Sequence, residues 1–329
     1  MKGRAAGKYN RDPQSPGRGL GIVFFWCCLF LWCMTRSALP AAGEMFFTME
    51  EAQEEQPAGP DTTALYADAS FHPEAAIDGA AGAVQADLSQ TDSGYVALRA
   101  WTDNRLKFQV LCNDLTYTYD LSNEGVPGVF PLQCGNGTYT FRVMENVTGT
   151  KYAMLFQTQA DVWMADEFQP FIRPNDYSRY TAGSACVAKA AELAAGAADP
   201  NAFIAAVYDF VCSTVSYDME KAMTVETGYL PDPDETMLTG KGICFDYSSL
   251  AVAMLRSQGI PTKMVFGYVA PDDLFHAWNM FYTPETGWVT VDYQVSGDTW
   301  NRLDLTFSAS GAGGQFIGDG SNYTGMFYY

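Results

Sequence analysis

Only two histidines, His72 and His276, occur in the 329-residue chain, and that scarcity excludes whole classes of chemistry. No His/Cys cluster with metal-ligand spacing can be built from them, and no glycine-rich loop of the phosphate-cradling kind is present. Neither a metal nor another cofactor is therefore expected. Basic residues are few as well: 19 Lys and Arg stand against 38 Asp and Glu, a net charge of −19. Such a surface repels nucleic acid and anionic membranes, so neither is expected as a partner. Its plain effect is solubility, with a preference for basic protein substrates as a secondary consequence. Long apolar runs are missing too. Leu20 to Met34 spans 15 residues, short of the roughly 20 that a membrane-crossing helix needs.

That apolar run follows a basic start (Lys2, Arg4, Lys8, Arg11, Arg18) and precedes the small-residue stretch Ser37–Gly43. This is the pattern of an export signal over residues 1–43, either cleaved or retained as an anchor. The expected location is secreted or cell-surface, with membrane contact only through this segment. Residues 1–43 hold six basic side chains and one acidic one, so their removal leaves 13 basic against 37 acidic.

Eight cysteines are present, three of them (Cys27, Cys28, Cys33) in the signal. An exported chain lives where disulfides persist, and an odd number of remaining cysteines marks one as a candidate reactive thiol. Cys112 and Cys134 share a β-rich stretch. Cys186 and Cys212 flank a turn near residue 198, where two antiparallel helices would bring them together. Cys244 is left over.

Residues 44–90 are acidic and rich in Ala, Gly and Pro without a sustained period, which predicts a flexible spacer that includes His72. Residues 91–168 alternate with a two-residue period. Leu106, Phe108, Val110 and Cys112 share one face, Tyr139, Phe141 and Val143 another, and Tyr152, Met154 and Phe156 a third. Turn formers separate the runs, which predicts an antiparallel β-sandwich of immunoglobulin-like size. From residue 169 to 329 helices come first and sheet later, an α+β domain. Ala182–Ala195 reads as a helix stopped by Gly196. Asp199-Pro200 starts another, as a cap followed by proline at the first helical position.

The segment Gly240-Lys241-Gly242-Ile243-Cys244 precedes apolar residues at helical spacing (243, 247, 250, 254), and Gly259 and Pro261 end that helix. Cys244 is thus placed at a helix N-terminus, where the positive end of the dipole favours thiolate over thiol and an exposed amide can stabilise an oxyanion. His276 is the one histidine in the catalytic region. It opens a strand that turns at Thr283–Gly287 and returns as Trp288–Asp292. Folding this hairpin pairs residue 282 with 288, leaves 276 opposite 294 and sets Asp292 on the face of His276, one diagonal step away. A carboxylate so placed fixes the imidazole tautomer and supports a thiolate–imidazolium pair.

Gly-Lys-Gly-Ile-Cys-Phe-Asp-Tyr at 240–247, His-Ala-Trp-Asn at 276–279 and Trp-Val-Thr-Val-Asp at 288–292 together resemble the core of the transglutaminase-like superfamily. The resemblance covers roughly residues 175–329. It implies a papain/transglutaminase-like catalytic domain with Cys244 as nucleophile, His276 as base and later acid, and Asp292 as orienting carboxylate. It implies a protein or peptide substrate, cell-wall peptide among the alternatives, and acyl transfer or hydrolysis through a thioester. Trp278 either walls an acyl site or fills the core. A non-catalytic adhesive or scaffolding domain is the alternative from another class. Asp232, Asp234 and Glu235 lack the spacing of a calcium loop and read as a solvated acidic loop. Asn136, Asn146 and Asn322 match glycosylation acceptors, which turn residues explain equally well.

Overall fold

The computed structural model describes residues 67–270, 274–290, 292–296, 299–302 and 323–329; the expected signal and most of the expected spacer lie outside these. Eight strands come first: β1 (Ile77–Gly79), β2 (Val84–Asp87), β3 (Tyr95–Ala100), β4 (Leu106–Cys112), β5 (Leu115–Leu121), β6 (Gly128–Pro131), β7 (Gly137–Thr148) and β8 (Lys151–Val162). They form two four-stranded antiparallel sheets, ordered β1-β2-β3-β6 and β5-β4-β7-β8. Alternation decides which residues meet between the sheets. Leu106, Phe108, Val110 and Cys112 turn inward, as do Tyr139, Phe141 and Val143, against Val96, Leu98 and Phe130 of the facing sheet. Each fully buried side chain of this size contributes about 1.5–3 kcal/mol. β8 behaves differently. It lies at a sheet edge, its ladder to β7 is interrupted by register shifts, and Met154 is largely exposed.

The spacer is shorter than expected. Val84 and Ala86 are fully buried within residues 44–90, and β2 pairs with β3. An Ala- and Gly-rich composition hid a short strand whose two inward side chains are enough to dock it. His72 is fastened to the same strand. Its backbone N–H and its Nδ1 both reach Asp87 Oδ2, at 2.8 and 3.0 Å. Cys112 and Cys134 stand 6.3 Å apart at Cα, joined by a disulfide.

The second part opens with α1 (Ala185–Gly196) and α2 (Pro200–Thr214). Asp199 caps α2 by accepting from Ala202 N–H at 2.7 Å, with Pro200 next to it. β9 (Ser216–Tyr217), α3 (Met219–Thr224), α4 (Pro233–Thr239), β10 (Lys241–Gly242) and α5 (Cys244–Arg256) follow. The chain then forms β11 (Thr262–Val269), β12 (Leu274–Thr283), β13 (Gly287–Thr290), β14 (Asp292–Ser296), β15 (Thr299–Arg302) and β16 (Tyr323–Tyr328). A sheet ordered β13-β12-β11-β16 carries α5 on one face, with α1 and α2 packed behind the helix.

The acidic residues before α5 cap helices instead of forming a solvated loop. Asp232 is the N-cap of α4, and Asp234 accepts from the N–H groups of Ala185 and Cys186 at the start of α1. This also explains why no disulfide joins Cys186 to Cys212, contrary to the expectation. The Cys186 thiol is buried and hydrogen-bonded to Asp234, which together hold it protonated well above the ordinary thiol range. The antiparallel helices do pack together, but this thiol faces α4.

Aromatic rings join the two parts. Tyr117 and Tyr119 of β5 meet Tyr329 at 5.4 and 5.6 Å, and Tyr177 lies 4.4 Å from Tyr329 and 5.5 Å from Phe245. Phe245 continues to Phe266 at 5.1 Å. At the other end of α5, buried Arg256 donates to three carbonyls, those of Thr262, Arg173 and Tyr329, each at 2.8 Å. One guanidinium thus ties the helix to the sheet and to the segment that follows β8.

Candidate active site

Cys244 is the first residue of α5, 7% exposed and not disulfide-bonded. The preceding residue, Ile243, has no side-chain acceptor, so the helix start is capped from within: Asp246 Oδ2 accepts from Ile243 N–H at 2.7 Å. Asp246 N–H returns a bond to Ile243 O at 2.9 Å. As the first helical residue, Cys244 carries an N–H with no acceptor inside the helix. Gly242 is needed for this approach, because a Cβ there would lie 2.5 Å from Asp246 Cβ.

Three contacts fix how α5 lies on the sheet. At its start, Phe245 meets Phe266, whose ladder partner is Ala277. One turn on, Asn279 Nδ2 donates to Ser248 O at 3.2 Å. At its end, Arg256 donates to Thr262 O, and Thr262 pairs with Phe281. Helix and β12 therefore run in the same direction, and Cys244 and His276 lie at the same end of the layer.

Alternation turns Asn279 and Phe281 onto α5. His276 and Trp278 share the other face, with ring centroids 6.3 Å apart, and Trp278 packs against Val265 and Tyr323. His276 is 4% exposed and pairs with Gly267, where a Cβ would come within 2.7 Å of the Trp278 ring. β12 therefore carries His276 on the face away from α5, near the end of the strand that lies level with the start of that helix. Trp278 Nε1–H is buried without a hydrogen-bond acceptor among the described residues.

The hairpin has the expected register, with Tyr282 opposite Trp288, from Thr283↔Gly287 to Met280↔Thr290. Pairing then passes to β15, with Asp292 opposite Arg302 and Gln294 opposite Trp300, so 294 is paired away from 276. Asp292 begins β14, beyond the end of the β12–β13 ladder, and its backbone pairs with β15 instead of continuing along β12 as expected; its side chain lies outside the described residues.

A charged cluster that the sequence reading passed over lies beneath the first turn of α5. Asp246 is fully buried, and Lys221 Nζ from α3 reaches its carboxylate at 3.0 Å. Tyr229 donates its hydroxyl to Asp246 Oδ1, and Lys221 Nζ lies 2.6 Å from that hydroxyl. Burial and the neighbouring carboxylate push Tyr229 well above the ordinary phenol range, which keeps it a donor. An acidic residue two positions after the cysteine was a legible capping signal. Its partners, 25 and 17 residues away, were not.

Residues 187–293 match the sequence profile of the transglutaminase-like superfamily. A protein-glutamine gamma-glutamyltransferase of Pseudomonas aeruginosa is 32% identical over 124 residues, which cover 33% of this chain and 18% of that protein. YebA, an uncharacterised protein of Bacillus subtilis, is 31% identical over 110 residues, covering 26% and 15%. The chain thus spans less than a fifth of these curated relatives. The crystal structure of the periplasmic domain of TgpA from Pseudomonas aeruginosa is 17% identical, with a TM-score of 0.33 over 82% of this chain and 80% of that one.

Proposed function

We propose, taking residues 187–293 as a transglutaminase-like segment, that the protein is an exported thiol acyl-transfer enzyme acting through Cys244, His276 and Asp292. The observation that carries this reading is a cysteine outside any disulfide, at the first position of a capped helix, co-terminal with the histidine-bearing strand. The Cys244 thiolate attacks a carboxamide or peptide carbonyl; a carbon–sulfur bond forms, the carbon–nitrogen bond breaks, and His276 gives its proton to the departing amine. The Cys244 N–H is one donor for the developing oxyanion. An amine or water then attacks the thioester, giving crosslinking or hydrolysis and returning the thiol. Asp292 holds the imidazole in the reactive tautomer.

The name of the Pseudomonas relative favours a glutamine carboxamide as the acyl donor. Export is supported by the basic and apolar start of the chain and by the Cys112–Cys134 bridge, since disulfides persist outside the cytosol. The pairing of β3 with β2 and β6, and of β4 with β5 and β7, supports the immunoglobulin-like reading of the sandwich, whose role is substrate docking or support of the catalytic part.

The test is incubation of the wild type and Cys244→Ala with a glutamine-donor protein plus a labelled amine, and separately with purified peptidoglycan. Label incorporation by the wild type alone supports crosslinking, and peptide release from the wall material alone assigns a wall peptidase. Full activity in Cys244→Ala overturns the triad. Alkylation of Cys244 no faster than an ordinary thiol, with neither substrate consumed, assigns the fold to binding.

A further inference from the structure

We infer that Lys221 is a positioning residue for Cys244, acting through Asp246 to keep the thiol reactive; this rests on Cys244 being the nucleophile.

A fully buried carboxylate two residues from a nucleophilic sulfur works against a thiolate unless its charge is balanced. Asp246 cannot be dispensed with, because Ile243 brings no acceptor of its own and the Asp246 carboxylate is what holds the Ile243 N–H. Lys221 resolves the conflict. Its ammonium lies 3.0 Å from each carboxylate oxygen, the one that accepts from Ile243 N–H included. Tyr229, which stays protonated, takes one oxygen while the other caps the helix.

The same short stretch also holds the backbone leading into the cysteine. β9 pairs in parallel with β10, and Asp218 N–H donates to Gly242 O at 2.9 Å. Asp218 in turn caps α3 through Lys221 N–H at 2.8 Å. Residues 216–221 therefore fix both the path of Gly242-Ile243-Cys244 and the charge under it. Among the described residues, Asp218, Lys221 and Tyr229 on the α3 side, Asp232 and Glu235 at the start of α4, Lys241 in β10, Asp246 in α5 and His276 in β12 are ionisable groups around this end of the helix.

The experiment measures iodoacetamide alkylation of Cys244 at pH 7 in the full chain, read by peptide mass, with no substrate. Lys221→Met leaves the Asp246 charge unbalanced and is expected to slow alkylation about tenfold, the effect of one nearby charge on a thiol. Lys221→Arg is expected to keep the wild-type rate. The double variant Lys221→Met/Asp246→Asn removes both charges while leaving an amide oxygen to cap Ile243, and is expected to recover to within about twofold of the wild type. Circular dichroism melts accompany each variant. Alkylation of Lys221→Met at the wild-type rate overturns the inference. So does a double variant that stays folded but is as slow as the single one, since that outcome assigns Lys221 to structure alone. Because no substrate is used, failure of the acyl-transfer reading appears separately, as unchanged substrates with the alkylation pattern intact.

Discussion

Arg256→Met is the substitution with the largest effect that the structure allows to be worked through. The guanidinium is buried and donates to carbonyls of three chain segments, two of which, β11 and the end of β16, are also joined by backbone hydrogen bonds. Hydrogen bonds from a charged donor contribute about 1.5–3 kcal/mol each, so three at about 2 kcal/mol give a gross loss of about 6 kcal/mol. Against this stands the cost of keeping the cation out of water, which pulls Arg256 down from the ordinary arginine range to about 10. That shift corresponds to about 3 kcal/mol recovered when the charge is removed. The carbonyl of Tyr329 keeps a second donor, Met264 N–H at 2.7 Å, and is not orphaned. The expected net destabilisation is therefore about 3 kcal/mol, or about 8 °C in melting temperature for a domain of this size. Urea denaturation and a thermal melt measure it. Arg256→Lys is expected to fare little better, because one ammonium cannot span three carbonyls in the geometry of a planar fork. Stability of Arg256→Met within about 1 kcal/mol of the wild type would refute the reasoning, and would mean that methionine packing replaces the three bonds. Cys244 sits at the opposite end of the helix, so its alkylation rate in the folded variant is expected to be unchanged.

Lys263 lies over the Trp288 ring at 3.7 Å and the Phe171 ring at 4.6 Å, and burial pulls it down to about 8 while Glu167 acts in the opposite direction. Below pH 8 folded and unfolded chains both hold the proton and the burial penalty is complete. Above it the folded chain releases the proton first, so stability is expected to rise with pH toward the ordinary lysine value of 10.5. A urea midpoint that rises between about pH 8 and 9.5 in the wild type, but not in Lys263→Met, checks this; the window stops short of the range in which buried tyrosines oppose it. In Gly267→Ala the new Cβ would sit inside contact distance of the Thr324 carbonyl oxygen, 2.9 Å from Gly325 Cα and 2.7 Å from the Trp278 ring. Two of these are backbone atoms of β16, so a loss of about 2–3 kcal/mol and a change in Trp278 fluorescence are expected.

Much of the fold was legible because its signals are local. The Asp199-Pro200 start of α2, the alternation along β4 and β7, the Tyr282–Trp288 register and the placing of Cys244 at a helix start all follow from steric and capping rules that act within a few residues. What the chain order leaves open is which distant groups share a buried space. β2 was lost in an Ala- and Gly-rich stretch because its inward residues are small. The thiol of Cys186 faces Asp234 because a helix packing angle, and no sequence interval, decides what it meets. The charge balance under Cys244 belongs to the tertiary structure for the same reason. Lys221 and Tyr229 reach Asp246 only after β9 has paired with β10 and drawn α3 against the start of α5. Local rules chose the elements, whereas the dehydration of a carboxylate, and the cation it then requires, exist only once those elements have closed around it.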